Sequence, residues 1–219
     1  MLKLFVFDKL TGNSMKKLFA CLLLIGTTGL ASAQVSNFTG FSGAVNLSAA
    51  STNLKTSPNQ FNLGGDNWLA SFQGAYGIEM SSTSVLGIGL TYALGKSKSG
   101  TGSDDSTTPV TYEPISLKNQ YSLYLEPGSL LSDNTLLYGK FSVEKGKASI
   151  SSTIVANAKS KSVSGTGYGV GLRHMLDKTK YVQVEFMKVG YKSMKFATTD
   201  SDDIKFSTTL GTVGFGMKF

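Results

Sequence analysis

The chain ends on Leu210-Gly-Thr-Val-Gly-Phe-Gly-Met-Lys-Phe219, a stretch in which apolar residues alternate with small or polar ones. Side chains of an extended strand point alternately to its two faces, so this pattern predicts a strand with one apolar face. That face is formed by Val213, Phe215, Met217 and Phe219. A half-buried edge strand of a soluble sheet would show the same alternation, so the preceding residues must distinguish the two.

Seven further segments alternate with the same period of two. Their apolar faces begin at Phe41, Trp68, Leu86, Leu117, Leu137, Tyr168 and Val182. Each segment supplies about ten alternating residues, enough for a tilted strand to cross the hydrocarbon core of a membrane. Residues 34–219 contain no run of the roughly 20 apolar residues that a membrane helix needs. The sequence therefore predicts an all-β fold of eight antiparallel strands, which in a membrane must close into a barrel.

The connections between these strands alternate in length. Every second connection is short, with centres at Thr83, Asp133 and Thr179. The others are rich in Ser, Thr, Gly, Lys and Asp and run roughly through residues 50–66, 97–114, 148–163 and 193–204. All long connections thus emerge at one end, as in outer-membrane barrels and unlike a soluble sandwich. Pro127 lies inside the fourth strand and predicts a bulge or bend there.

The first residues predict export. Residues 15–33 combine a positive start, a short apolar run and an Ala-Ser-Ala end, which are the features of a cleavable signal peptide. Residues 1–14 are expected to be an upstream extension, with Met15 as the true start, and residues 34–219 to form the barrel. Cys21 as an acylated lipoprotein anchor is the alternative, but only three residues separate it from Lys17.

Composition excludes several classes of function. The net charge of +7 falls to +4 once the four lysines and one aspartate of residues 1–33 are removed. This scattered excess does not indicate nucleic-acid binding. Cys21 is the only cysteine, so residues 34–219 offer no disulfide and no thiolate ligand. We predict no cofactor and no metal site, because Asp200, Asp202 and Asp203 lack the spacing of a calcium loop.

Several stretches resemble the small outer-membrane β-barrel family that includes OmpX, the opacity-type proteins and the transmembrane barrel of OmpA. They are Tyr124-Leu-Glu-Pro-Gly128, Asp133-Asn-Thr-Leu-Leu-Tyr-Gly-Lys140, Gly167-Tyr-Gly-Val-Gly-Leu-Arg173, Gln183-Val-Glu-Phe186 and the terminal Phe219. The resemblance implies an eight-stranded antiparallel up-and-down barrel, integral to the bacterial outer membrane. It also implies that Val213, Phe215, Met217 and Phe219 form the signal read by the outer-membrane assembly machinery.

Eight ionisable residues are predicted to face the lumen as one charge network: Glu79, Lys118, Glu126, Lys140, Glu144, Arg173, Glu185 and Lys218. Turns centred on Asp133 and Thr179 would place Glu126 opposite Lys140 and Arg173 opposite Glu185. In a narrow lumen such charges pair or stay hydrated. Two interpretations remain open, a permanent filling of the lumen and a gate that opens a water path.

The resemblance leaves three functions to weigh. The first is a structural, adhesive or surface-interaction role through long extracellular loops, the second a small porin-like channel, and the third a lipid-modifying enzyme. We expect no enzyme, because His174 is the only histidine and no serine lies two residues from it. Two interpretations stay open for lysines near the loop ends, contact with lipopolysaccharide phosphates and plain hydration at the rim; these are Lys145, Lys147, Lys192 and Lys195. The expected partners are outer-membrane lipid, lipopolysaccharide and the assembly machinery, for a monomer whose host or surface ligand stays open.

Overall fold

The computed structural model describes residues 35–57, 62–98, 102–103, 111–112, 115–150, 160–193 and 203–219. A short 3-10 helix at Val35–Phe38 precedes the strands. The strands are β1 Gly40–Ser57, β2 Asn62–Ser81, β3 Ser84–Leu94, β4 Lys96–Lys98, β5 Gly102–Ser103, β6 Thr111–Tyr112, β7 Ile115–Ser132, β8 Thr135–Ile150, β9 Ser160–Met175, β10 Lys180–Tyr191 and β11 Asp203–Lys218. None of the helical segments in these ranges is long and apolar enough to cross a membrane.

The long strands form one closed antiparallel barrel. Each pairs with its neighbours along the chain, β3 also pairs with β7, and β1 pairs with β11 from Ser42 opposite Lys218 to Ser57 opposite Asp203. Strand β4 continues the wall strand begun by β3 beyond Gly95, whose φ of 110° interrupts the ladder. Strands β5 and β6 pair only with each other. The prediction of an eight-stranded up-and-down barrel is confirmed.

The wall has an apolar outside and a mostly polar inside. Large apolar side chains on its outer face are widely exposed, including Trp68 at 73%, Phe186 at 68% and Phe219 at 83%. Such a continuous apolar surface is stable only against lipid or a partner. Along β10 every second residue is buried and the others are exposed, as the period-two pattern predicted.

The short connections lie where they were predicted, but the predicted long connection through residues 50–66 is wrong, because β1 continues to Ser57 and β2 begins at Asn62. At one end the strands are joined by the short turns Ser82–Thr83, Asp133–Asn134 and Leu176–Thr179, and we call this the short-turn end. The two strands β1 and β2 contain 18 and 20 residues, more than the expected ten. At about 3.3 Å per residue and a tilt of about 40°, such strands rise roughly 45 Å, against an apolar band of about 25 Å. The barrel wall therefore continues well beyond that band.

The bulge predicted at Pro127 is wrong in its position. The register with β8 is the same on both sides of Pro127, with Leu125 opposite Phe141 and Gly128 opposite Tyr138. The register of β7 instead shifts at two places: between Lys118 and Tyr121, where one extra residue is inserted and Asn119 has a φ of 50°, and between Leu130 and Ser132 next to the turn. Asparagine tolerates this left-handed conformation better than most residues, which explains the location of the bulge.

Apolar clusters occupy both ends of the lumen. At the short-turn end, Val35 and Phe38 of the 3-10 helix are buried against Val85, Met175 and Tyr181. The helix thus covers this end of the barrel. The cluster towards the other end is formed by Leu117, Ala148, Val163, Met187, Val189, Tyr191 and Phe206. A polar layer lies between these two clusters and contains four of the eight residues of the predicted charge network.

Candidate functional site: the charged layer of the lumen

Four of the eight predicted lumen charges meet in the polar layer. Lys140 Nζ lies 3.3 Å from Glu126 Oε1 and 2.9 Å from Glu185 Oε2. Arg173 Nη2 lies 3.0 Å from Glu126 Oε2. All four side chains are almost fully buried. Close ionic contacts therefore replace the water that would otherwise hydrate each charge. We call Glu126, Lys140, Arg173 and Glu185 the charged layer.

The predicted pairing of Arg173 with Glu185 is wrong. The turn Leu176–Thr179 sets a register in which Arg173 faces Gln183, and Glu185 faces Gly171. The guanidinium Nε donates to Gln183 Oε1 at 3.1 Å, while its Nη2 reaches across the lumen to Glu126. The sequence estimate placed the turn centre one residue too late, which shifts the register by two. The predicted proximity of Glu126 and Lys140 agrees with the structure.

Three buried tyrosines enclose the two cations. The Lys140 ammonium lies 4.1 Å from the centre of the Tyr124 ring. The Arg173 guanidinium carbon lies 5.2 Å from the Tyr138 ring and 4.9 Å from the Tyr181 ring. These distances permit cation–π attraction in addition to the ion pairs. The Tyr138 hydroxyl also donates to Glu185 Oε2 at 3.2 Å.

Glycines on the neighbouring strands provide the space for these rings. Tyr124 is directly opposite Gly89, Tyr138 opposite Gly171, and Tyr181 opposite Gly216. A Cβ added at any of the three glycines would collide with the paired tyrosine ring. The small residues on the inner face thus allow aromatic rings to lie flat along the wall and position the cations.

Side-chain amides extend the network around the barrel, and the sequence analysis did not assign them to it. Gln183 Nε2 donates to Asn46 Oδ1 at 3.0 Å and to Gln73 Oε1 at 2.9 Å. Asn46 Nδ2 donates to the same Gln73 oxygen at 3.0 Å, and Gln73 Nε2 donates to Glu126 at 3.4 Å. The alternation of the strands predicts the inward position of these amides, but a neutral side chain carries no charge that would indicate its partner.

The other four predicted lumen charges lie outside the charged layer. Glu144 is buried above it and accepts a hydrogen bond of 2.5 Å from Ser142 Oγ. Glu79 is exposed near the short-turn end, and Lys218 donates to the Ser36 carbonyl there. Lys118 does not face the lumen, because the bulge after it reverses the parity and buries Leu117 instead.

The charged layer separates two cavities. The larger has a volume of about 80 Å³. Lys140, Glu185 and Gln73 line it next to the charged layer, and Glu144 also lines it. The smaller has a volume of about 10 Å³ and lies between Arg173, Phe38 and Lys218. Because a water needs roughly 10–15 Å³ of such space, the larger cavity can hold several waters and the smaller about one.

The remaining predicted sites lie on the outer wall or outside the described residues. Lys145, Lys147 and Lys192 are exposed, whereas Lys195, Asp200 and Asp202 lie outside the described residues. His174 is exposed, and its Nδ1 lies 2.9 Å from Thr135 Oγ1. In the described part of the chain no group of three or more potential metal ligands occurs. The proposed assembly signal is exposed on the outer wall at Val213, Phe215, Met217 and Phe219.

Comparisons with known proteins agree with this architecture. Three solved structures are similar: neisserial surface protein A, with 14% identity over 82% of this chain and 99% of that chain and a TM-score of 0.51; OprG of Pseudomonas aeruginosa, with 13% identity, 83% and 96% coverage and a TM-score of 0.49; and Ail of Yersinia pestis, with 15% identity, 81% and 99% coverage and a TM-score of 0.45. At 14% identity the likeness to neisserial surface protein A concerns the fold alone. A search of curated protein sequences finds no match. The family model described as "Outer membrane protein beta-barrel domain" matches residues 19–219, and the chain therefore belongs to this family of integral outer-membrane barrels.

Proposed function

We propose that this outer-membrane barrel acts at the cell surface, through the wall and connections that extend beyond the membrane. The observation that carries the proposal is the filled lumen. Glu126 and Lys140, with Arg173 and Glu185, occupy its centre, and apolar clusters occupy both ends. A barrel of eight strands is only wide enough for side chains, so transport is a poor use of this interior.

The extracellular part of the wall supports a contact role. Strand β2 has 20 residues and β7 has 18, so both continue past the apolar band on the side of the long connections. That extension is roughly 20 Å when the apolar band of about 25 Å is subtracted from the rise of the strands. A rigid pedestal of this height presents the connections away from the membrane surface, where a host or environmental surface can reach them.

The proposal assigns no catalysis to His174. Its imidazole is bonded to Thr135, and its neighbours on the outer face of β9 are Leu172 and Leu176. A catalytic histidine needs a nucleophile to activate, and no serine lies two residues from His174 on this face of β9. A second copy is not required either, since the barrel closes through the β1–β11 pairing.

Loop replacement tests the surface role. Two variants would replace residues 99–114, which include the β5–β6 pair, or residues 151–159 by short Gly-Ser links, leaving the strands of the barrel wall intact. Cells that produce each protein would be compared for adhesion to cultured epithelial cells and to immobilised heparin as a polyanionic probe. We expect at least one variant to lose adhesion while its surface level stays unchanged. If cells that produce the wild-type protein adhere no better than cells that lack it, the adhesive role is rejected.

A small cation-selective channel is the second candidate, favoured by the charge count of the lumen. Among the residues whose burial the structure describes, five charged groups are buried, namely the carboxylates of Glu126, Glu144 and Glu185 and the cations Lys140 and Arg173, so their sum is negative. Glu144 also borders the larger cavity. Opening would require Lys140 or Arg173 to exchange partners. If Lys140→Ala or Glu126→Ala leaves the single-channel current in planar bilayers unchanged, the gate is rejected.

A further inference from the structure

The outer wall carries a row of lysines that face each other across three strands. Lys96 of β4 is directly opposite Lys118 of β7, and Lys118 is directly opposite Lys147 of β8. All three point outward, because Ser97, Leu117 and Ala148 beside them are buried in the lumen. We call Lys96, Lys118 and Lys147 the lysine row.

This arrangement is electrostatically unfavourable by itself. Side chains directly opposite each other on antiparallel strands have Cβ atoms about 5 Å apart, and like charges there destabilise the sheet. Among the described residues no carboxylate forms an ion pair with any of the three lysines. Asp66, which is exposed on β2, makes no such pair either. Three converging cations that have no carboxylate partner in the described part of the chain attract a multivalent anion.

The height of the row on the wall identifies the kind of anion. Just below it Tyr92 is directly opposite Tyr121, which is directly opposite Lys145. Exposed tyrosines of this kind mark the border of the apolar band. Three to four residues of a tilted strand place the row about 9 Å above that border, within the layer of lipid headgroups. An anion at this level in the outer leaflet is a phosphate group of a membrane glycolipid.

We propose that the lysine row, with Lys145 beside it, binds a phosphate group of a phosphorylated glycolipid of the outer leaflet, such as lipid A. The anion would offset the repulsion among the three ammonium groups and tie β4, β7 and β8 together at the membrane border. This inference goes beyond the adhesive role and uses none of the connections tested above. A barrel that fails to adhere can still bind the lipid, and the reverse also holds.

A binding experiment with the refolded barrel tests the site. The purified protein would be placed in phosphatidylcholine nanodiscs doped with diphosphoryl lipid A or with its dephosphorylated form, and retained lipid would be quantified by native mass spectrometry. A lysine near an anionic lipid surface is worth a factor of about five in affinity. We therefore expect Lys118→Gln/Lys147→Gln to weaken retention of diphosphoryl lipid A roughly 25-fold. Millimolar inorganic phosphate should displace little of the lipid from the wild-type barrel.

Lys188→Gln is the matched control, because Lys188 is also outward and exposed near the border but lies opposite Tyr168 and Thr209. Because it removes one surface charge, it should weaken retention by no more than about fivefold, well short of the 25-fold loss expected of the row variant. Equal retention of the dephosphorylated lipid, equal loss in the control, or full displacement by inorganic phosphate would overturn the assignment to a glycolipid phosphate. Lys118→Arg/Lys147→Arg is a second variant for the case that the Gln variant folds poorly. It changes the same two positions but keeps their charge, so it should still retain the lipid.

Discussion

Glu126 holds the charged layer together, so its removal should destabilise the barrel strongly. The carboxylate is 2% exposed and lies 3.0 Å from Arg173 and 3.3 Å from Lys140. In Glu126→Ala, Lys140 keeps Glu185 as a partner at 2.9 Å, whereas Arg173 keeps only Gln183 and two aromatic rings. Breaking a buried ion pair in this way costs about 3–5 kcal/mol.

Urea unfolding in detergent micelles measures this loss. Trp68 is the only tryptophan and lies exposed on the outer wall, so its fluorescence reports the transfer from micelle to water. With a slope of about 2 kcal/mol per molar urea, the unfolding midpoint should fall by about 2 M. Glu79→Ala is the control, since Glu79 is exposed and should change stability by no more than about 0.5 kcal/mol.

The double variant Glu126→Leu/Arg173→Met separates charge from packing. Removing both ends of the pair leaves Lys140 with Glu185 and creates no unpaired charge, so most of the lost stability should return. If Glu126→Ala shifts the midpoint no more than Glu79→Ala does, the charged layer does not stabilise the fold and the reasoning fails. A double variant as unstable as the single one would show that the volume of the side chain matters and its charge does not.

Three further predictions concern the turn, the wall and assembly. Hydrogen bonds from the Thr179 amide and hydroxyl and the Lys180 amide lower the pKa of Asp177 from 3.8 to about 2. The stabilising effect of its carboxylate should therefore be complete above pH 4 and vanish towards pH 2. A difference in the free energy of unfolding between wild type and Asp177→Asn that stays constant from pH 6 to about 2 contradicts this. Gly171→Val should destabilise by about 1–3 kcal/mol in urea unfolding, because its Cβ collides with Tyr138. Deleting Phe219 should reduce outer-membrane insertion in cells more than refolding in micelles; equal loss in both assays means that the residue only packs.

Alternation and loop lengths allowed the architecture to be predicted from the sequence. The period of two fixes which residues share a face, and the inward parity of Glu126, Lys140, Arg173 and Glu185 followed from it directly. The partner of Arg173 did not follow, since a shift of one residue in the assumed turn centre moves the register by two and exchanges Gln183 for Glu185. Contacts across the lumen, such as Arg173 with Glu126, also join strands that are not neighbours and leave no local signal.

The position of the bulge between Lys118 and Tyr121 in β7 also could not be predicted from the sequence. A single inserted residue reverses the face of everything beyond it, so Lys118 was assigned to the lumen although it lies on the outer wall. The only local signal is Asn119, a residue that tolerates positive φ but also occurs in many regular strands. The lysine row was invisible for this reason, because the row exists only once Lys118 shares a face with Lys96 and Lys147.

The charged layer supplies information that the apolar pattern lacks. A slip of one residue between strands would turn apolar side chains into the lumen, but a slip of two keeps every face and is not opposed by the pattern. Such a slip of β8 against β7 would move Lys140 by about 7 Å from Glu126 and leave buried charges unpaired. We infer that Glu126, Lys140 and Arg173 fix the register of the wall. In Glu126→Leu/Arg173→Met the ionic restraint between β7 and β8 is lost, while Lys140 still contacts Glu185 of β10. A second set of amide contacts between β7 and β8 should therefore appear by NMR, and a single native register would contradict the inference.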